Sequence, residues 1–131
     1  MTVTNKLAVL CVVGLLAGCA QEPVYLPSEI NAHPKLYEGR EVRIRGWVTL
    51  RVENRNIWDT KDDFEHLKDD FSHCVSLVGV QSWTGDKSID GQVRTISGVF
   101  HQYEGDRTTE LGMCNNSAIE VDTSKLPFRG R

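Results

Sequence analysis

The sequence predicts a small all-β domain, a closed five-stranded Greek-key barrel with one short helix. Apolar and polar residues alternate strictly over residues 41–52, which indicates a strand with one face in a core. Glycine also interrupts the two longest strand-like runs, at Gly46 and Gly98, where a missing side chain lets a strand bend. Bent strands favour closure, which removes exposed sheet edges, over the alternative of a β-sandwich.

Length and composition limit the class of protein. The chain has 131 residues, of which 40% are hydrophobic and 25% charged, so it fits one globular domain and neither a fibrous nor a wholly disordered chain. Its 15 Lys and Arg residues are outnumbered by 18 Asp and Glu residues. The net charge of -3 gives no basic excess, so nucleic acid is not an expected partner.

The first predicted strand presents two different faces. Its inward set is Val42, Ile44, Gly46, Val48, Leu50 and Val52. Its outward set is Arg43, Arg45, Trp47, Thr49 and Arg51. We therefore expect a long, curved strand that carries arginine on the side away from the core.

The other predicted elements follow in chain order. They are a turn over 53–56, a return strand over 57–59, a helical segment over 60–71, a strand over 74–80, a loop over 83–91, a strand over 93–102, a polar loop over 107–110 and a strand over 117–121. In the helical segment Phe64, Leu67 and Phe71 recur at helical spacing, and Thr60 with Asp63 forms an approximate capping box.

The first 18 residues predict a secretory signal peptide. Lys6 is their only charge, and the apolar run over 7–17 is too short to span a bilayer, which takes about 20 residues. The run ends in Leu16-Ala17-Gly18-Cys19, which resembles the lipobox of bacterial lipoproteins. The resemblance implies cleavage before Cys19, a diacylglycerol on its sulfur and an acyl chain such as palmitate on its amine. The alternative is ordinary cleavage that leaves Cys19 as a free thiol.

Lipidation implies a place in the cell envelope. Stable anchoring takes at least two acyl chains, which a lipidated Cys19 supplies. In Gram-negative lipoproteins an Asp after the cysteine accompanies inner-membrane retention, so Ala20 implies the outer membrane, with the domain facing the periplasm. Removing residues 1–18 deletes one of the 15 basic residues and none of the 18 acidic ones, which leaves a net charge of -4. Lipid rather than positive charge is therefore expected to hold the protein to the membrane.

The mature chain divides into three predicted segments. Residues 19–33 contain Pro23 and Pro27 and little periodicity, so they are expected to form the lipidated N-terminus and a flexible tether, with a reach on the order of tens of Å. Residues 34–122 are expected to form the barrel. Residues 123–131 are expected to form a frayed C-terminal tail.

A Tyr-x-Gly-x-x-Val-x-Ile-x-Gly pattern opens the barrel segment, at residues 37–46. On this pattern and the order of its strands the segment resembles the OB-fold, in particular that of small bacterial envelope proteins. The resemblance implies a five-stranded barrel with an outer face that binds oligonucleotides or oligosaccharides. One departure is that the predicted helix follows the second barrel strand, whereas the usual OB order places it after the third.

Two of the four cysteines, Cys74 and Cys114, are left after processing and lipidation. In an oxidising compartment they are expected to form a disulfide. The chain-entropy model gives such a bridge about 4 kcal/mol of stabilisation. The alternative is a redox or metal role, for which the sequence lacks a C-x-x-C motif.

The outward face of the first strand is the candidate ligand site. Its residues are Arg43, Arg45, Trp47 and Arg51, with Trp58 added from the return strand. Arginine pairs with phosphate or carboxylate, and tryptophan stacks on sugar faces or bases. The simpler alternative is that the arginine side chains only cover the barrel wall and pair with the acidic segment 59–70.

No pattern indicates a metal, a cofactor or a catalytic site. His66, His73 and Cys74 lack the spacing of zinc ligands, and the acidic segment lacks an EF-hand loop. Serine-hydrolase, P-loop and dinucleotide-binding motifs do not occur. The predicted function is a membrane-anchored interaction module for a protein or glycan partner. The alternatives are a structural envelope lipoprotein without a small ligand and a small periplasmic enzyme.

Overall fold

The computed structural model describes residues 21–67, 71–104, 114 and 116–125. The strands are β1 (Val24–Tyr25), β2 (Glu41–Arg51), β3 (Asn54–Trp58), β4 (Cys74–Val78), β5 (Gln92–Gln102) and β6 (Ser117–Val121). The α-helices are α1 (Pro27–Ala32), α2 (Pro34–Tyr37) and α3 (Lys61–Glu65), and 3-10 turns cover Phe71–His73 and Gln81–Trp83. The predicted signal peptide and lipobox, the polar loop over 107–110 and most of the expected tail lie outside the described residues.

The strands close into the predicted OB-like barrel. Around the ring, β2 pairs with β3, β3 with β4, β4 with β6, β6 with β5, and β5 with β2 again. All these pairs are antiparallel except β4–β6, which is parallel. The five-stranded barrel with short helices is therefore confirmed, and α3 lies between the second and third barrel strands as expected. The short β1 adds a sixth strand, parallel to β2.

Gly46 and Gly98 lie where neighbouring strands approach most closely. A Cβ atom on Gly46 would overlap the carbonyl oxygen of Trp58 in β3, and one on Gly98 would overlap the carbonyl oxygen of Glu120 in β6. β2 pairs with β5 up to residue 48 and with β3 from residue 47, so it changes its main partner next to Gly46. Glycine at these inward positions lets each of the two long strands pair with two neighbouring strands.

The barrel interior is filled by alternate residues of the strands. The largest of these side chains are Ile44, Ile57, Ile96, Phe100 and Ile119, all of them buried. Burying an aliphatic or aromatic side chain of this size contributes about 1.5–3 kcal/mol relative to leaving it exposed. These residues form the core that the alternating pattern predicts.

Part of the expected tether belongs to the fold, which corrects the boundary predicted at residue 33. The two residues of β1 pair with Arg43 and Ile44 of β2, and Ile30 of α1 is fully buried in the barrel core. The backbone N–H of Ser28 also donates to Asp59 Oδ1 at 2.9 Å. One apolar residue in a short helix makes no periodic pattern, so this packing could not be seen in the sequence.

Other differences concern the ends of elements. The turn after β2 is only two residues long, so β3 begins at Asn54, within the predicted turn, and Val52 lies in the turn with 76% of its surface exposed. The outward residue Thr49 is buried instead. Thr60 caps α3 by accepting the Asp63 backbone N–H at 3.1 Å, but the helix ends at Glu65, well short of the predicted residue 71.

We expect Gly46→Ala and Gly98→Ala each to lower the free energy of unfolding by about 3 kcal/mol or more, because a backbone carbonyl cannot move aside as a side-chain end can. Gly85→Ala is the control, since its Cβ meets open space and only the left-handed backbone (φ 83°) costs about 1 kcal/mol. Urea unfolding measures all three. Equal losses at the three sites would contradict the close-approach explanation.

Glu38 joins the end of α2 to the end of β5. Its Oε2 accepts the backbone N–H of Gln102 at 2.6 Å, and its Oε1 lies 3.2 Å from Nδ1 of His101. The hydrogen bond from Gln102 lowers the pKa of Glu38. The contact with His101 lowers this pKa further, whereas partial burial of the carboxylate acts in the opposite direction and raises it. Because the folded state lowers this pKa, Glu38 stabilises the fold above the ordinary glutamate pKa and less as the pH falls.

Glu38→Gln is expected to destabilise the protein at pH 7, and the difference from wild type is expected to shrink as the pH falls. Because the folded state lowers the pKa of Glu38, the decrease begins near the ordinary glutamate pKa of about 4.3 and continues below it. Urea unfolding of both proteins at several pH values measures the difference. Stability profiles that stay parallel from pH 7 to pH 3 would show that the contact with Gln102 and His101 contributes nothing.

Candidate functional site

The strand register divides the predicted arginine face into two halves. Arg43 and Arg45 lie opposite Ser97 and Thr95 of β5, at the N-terminal half of β2. The C-terminal half runs beside β3, where Trp47 pairs with Trp58. The two halves have different surroundings: Arg43 and Arg45 are half-buried in the first half, whereas Thr49 is buried and Arg51 exposed in the second.

The C-terminal half is covered by a hydrophobic group that we call the outer cluster. It consists of Trp58, Cys74 and Cys114, with Trp47 and Phe64 packed against them. The Trp58 indole is fully buried, and its ring centre lies 5.5 Å from that of Phe64 in α3. Trp58 is therefore not offered to a ligand on this face, contrary to its place among the predicted site residues.

The disulfide between Cys74 and Cys114 is present, as predicted. It joins Cys114, which precedes β6, to Cys74 at the start of β4, and Ser76 Oγ donates to the Cys114 carbonyl at 3.1 Å. Both cysteines are buried. The bridge also removes Cys74 from the set of possible zinc ligands, because a disulfide sulfur is not a thiolate.

Polar side chains beneath the outer cluster bond to one another. The Trp58 indole N–H donates to Thr49 Oγ1 at 3.4 Å, and Thr49 Oγ1 donates to Asn54 Oδ1 at 3.0 Å. Asn54 Oδ1 also accepts from the side-chain amide of Asn56, which is buried. Most members of this polar layer have partners, as buried polar groups usually do, but Asn56 Oδ1 is buried without one among the described residues. It belongs to the architecture of the barrel wall.

Helix α3 covers its part of the face with Phe64 and Lys61. The Arg51 guanidinium lies 5.5 Å from the centre of the Phe64 ring, and Lys61 Nζ lies 5.5 Å from that of Trp47. Such cation–π contacts contribute about 0.5–1 kcal/mol at exposed sites. Within the described residues of α3, Lys61 pairs with Glu65 at 3.2 Å. Among the described residues of the acidic segment, 59–67, Arg51 contacts the Phe64 ring, and no ion pair with a carboxylate is seen there.

The N-terminal half of the face ends in a recess, which we call the tyrosine recess. Its lining includes Tyr25, Tyr37, Arg40 and Arg43, and its volume is about 200 Å³. The two tyrosine rings meet edge to face with centres 5.1 Å apart. Burial, together with Tyr25, raises the pKa of Tyr37, so its phenol remains a neutral hydrogen-bonding group at physiological pH.

Sequence reasoning found Arg43 but missed the tyrosines and Arg40. Tyr25 falls in the segment that the sequence predicts to be a tether. Its ring contacts Tyr37 because β1, which contains Tyr25, pairs with β2 in the sheet. The one available signal was Tyr37 itself, which opens the pattern at residues 37–46. Arg45 follows Arg43 on the same face of β2, does not line the recess, and donates to Thr95 Oγ1 at 3.4 Å.

A second cluster lies at the opposite rim of β3. Asp59, Asp63 and His73 each offer a ligand atom, and these atoms lie within 4.8 Å of one another. Asp59 accepts a hydrogen bond from the backbone N–H of Ser28, and its second oxygen lies 2.9 Å from His73 Nδ1. Asp63 Oδ2 accepts the Thr60 hydroxyl at 2.5 Å. The cluster joins α1, β3 and β4, and a structural role accounts for its contacts.

Comparisons with models of protein families, with curated proteins and with solved structures find no significant match to this chain. Among the described residues, no helix is both long and apolar enough to cross a bilayer. The function therefore has to be inferred from the surface of the barrel and from the N-terminal sequence.

The double variant Cys74→Ser/Cys114→Ser is expected to lose about 4 kcal/mol of stability, because the cross-link restricts the unfolded chain. Its tryptophan emission is expected to shift to the red, since the segment over Trp58 is no longer fastened. Thiol titration of denatured wild-type protein checks the bridge directly. Equal thiol counts with and without reductant would exclude the disulfide.

Proposed function

We propose that the protein is an envelope lipoprotein, held to the membrane by acyl chains on Cys19, whose OB-like barrel is an interaction module for a protein or glycan partner. One observation carries the second half of the proposal. The outer face of β2 is closed over Trp58, whereas Arg43 and Arg45 are half-buried on the same face, and Arg43 lines the tyrosine recess. Guanidinium groups next to phenols suit a partner with carboxylate or phosphate groups.

The sequence supports the anchor. A short apolar run after one positive charge ends in Leu16-Ala17-Gly18-Cys19, the pattern that resembles a lipobox. Acyl chains on Cys19 would place the barrel outside the cytoplasm, where the Cys74–Cys114 bridge is stable. The bridge and the N-terminal pattern thus agree on one compartment, and Ala20 favours the outer membrane within it.

A structural role without a small ligand is the second candidate. It is favoured by the burial of Trp58 and Thr49, two residues of the predicted outward face, beneath α3 and the disulfide. In this case the covered face would have no partner other than the chain itself. The two candidates differ in whether Arg43 and Arg45 contact something outside the protein.

Binding to isolated peptidoglycan sacculi, a glycan with peptide carboxylates, tests the interaction. We expect the wild type to sediment with sacculi at low salt, and Arg43→Gln/Arg45→Gln to bind about tenfold more weakly, because exposed charge pairs contribute up to about 1 kcal/mol each. Lys35→Gln/Lys87→Gln is the matched control, since it removes the same charge from exposed sites outside this face. Equal losses in both double variants, or no binding by the wild type, would favour the structural role.

A further inference from the structure

The end of the barrel nearest the N-terminus exposes large apolar side chains. Val24, Leu26 and Leu36 have 43%, 42% and 61% of their surfaces exposed. All three lie in the segment that leads from the N-terminus into β2, next to the two tyrosines whose rings are in contact: Val24 precedes Tyr25 in β1, Leu26 follows it, and Leu36 precedes Tyr37 in α2. Scattered apolar residues need no explanation, but several exposed ones in one segment are typical of an interaction surface.

The tyrosine recess is lined by the residues next to these apolar side chains and contains both signs of charge. The Arg43 side chain has no hydrogen-bond or ion-pair partner in the part of the chain that the structure describes. Arg40 lines the recess as well, and so do the carboxylates of Glu22 and Glu41, the latter paired with Lys125 at 2.6 Å. Tyrosine, arginine and exposed aliphatic side chains together are typical of surfaces at the level of lipid headgroups.

The distance to the proposed acylation site is short. Glu22 lines the recess and comes three residues after Cys19, so at most about 10 Å of extended chain separates the two. Because β1 begins at Val24, only residues 20–23 lie between Cys19 and the sheet. A barrel held this closely cannot stand far from the bilayer, and its nearest end is the one with the recess.

We propose that this end docks on a phospholipid bilayer and that the tyrosine recess holds a zwitterionic headgroup, with its phosphate on Arg43 and Arg40 and its ammonium group on Glu22. The inference rests on the proposed acylation of Cys19, and because it assigns Arg43 to the headgroup, the protein or glycan partner of the proposed function would contact Arg45. A zwitterionic surface fits better than an anionic one for two reasons. The recess has mixed charge. The mature chain keeps all 18 acidic residues and loses one of the 15 basic residues, so its net charge is negative and an anionic surface would repel it.

Fluorescence quenching on the full-length lipidated protein tests the docking. Leu36→Cys labelled with an environment-sensitive fluorophore is reconstituted in phosphatidylethanolamine/phosphatidylcholine vesicles with a nitroxide at headgroup level. Val52→Cys is the matched control, since Val52 is equally apolar and 76% exposed but lies nine residues from Arg43 along β2 and its turn, about 30 Å for an extended strand. We expect strong quenching of the fluorophore at residue 36 and little quenching of the fluorophore at residue 52.

Two further arms separate the parts of the proposal. Adding Arg43→Gln is expected to lower the docked population about fivefold, the upper end for the loss of one exposed charge pair, whereas Lys87→Gln leaves it unchanged. Replacing phosphatidylethanolamine by phosphatidylglycerol is expected to weaken quenching at residue 36. Equal quenching at residues 36 and 52 would overturn the docking, and stronger quenching on phosphatidylglycerol would overturn the zwitterionic headgroup.

The mass of the same preparation distinguishes this inference from the proposed function. Acyl mass on Cys19 with equal quenching at the two positions would overturn the docking alone. A Cys19 without acyl mass would overturn the anchor, and the docking that rests on it would fall as well.

Discussion

The Trp58 indole is buried on the outer side of β3, between Phe64 of α3 and the Cys74–Cys114 bridge, and the use of the barrel surface depends on this packing. An OB-like barrel has one wall on which ligands commonly bind. Here the chain closes much of that wall with its own helix and a disulfide-fastened segment. A buried tryptophan contributes several kcal/mol, so opening the wall would cost a large share of the stability of a small domain.

Closure of this wall moves the accessible chemistry to the other end of β2. There the wall is made by β1, α2 and β5, and the arginine and tyrosine side chains surround a recess instead of lying under a cover. The same end receives the chain from Cys19, with only residues 20–23 in between. The proposed membrane anchor and a recess with mixed charge would thus be brought together by one short strand, which would also limit how the barrel can stand relative to a bilayer.

The fold could be predicted where local pattern and tertiary burial agree. The alternation over residues 41–51 and the glycines at 46 and 98 indicated two long strands, and the structure has them. The sequence predicts Thr49 and Trp58 on the open side, and this is wrong. A period of two shows which residues share a face of a strand, but it does not show which other elements cover that face. The contact of Tyr25 with Tyr37 was missed because two residues of strand make no pattern; their pairing with Arg43 and Ile44 exists only in the folded sheet.

A barrel kept against a bilayer by lipid on Cys19 is the central claim, and the mass of the N-terminal peptide of the protein purified from membranes tests it most directly. The account predicts a chain that begins at Cys19, residues 1–18 being absent, and that carries a diacylglycerol on sulfur together with an acyl chain on the amine. A peptide with an unmodified Cys19 thiol, or a chain cleaved elsewhere, would contradict it.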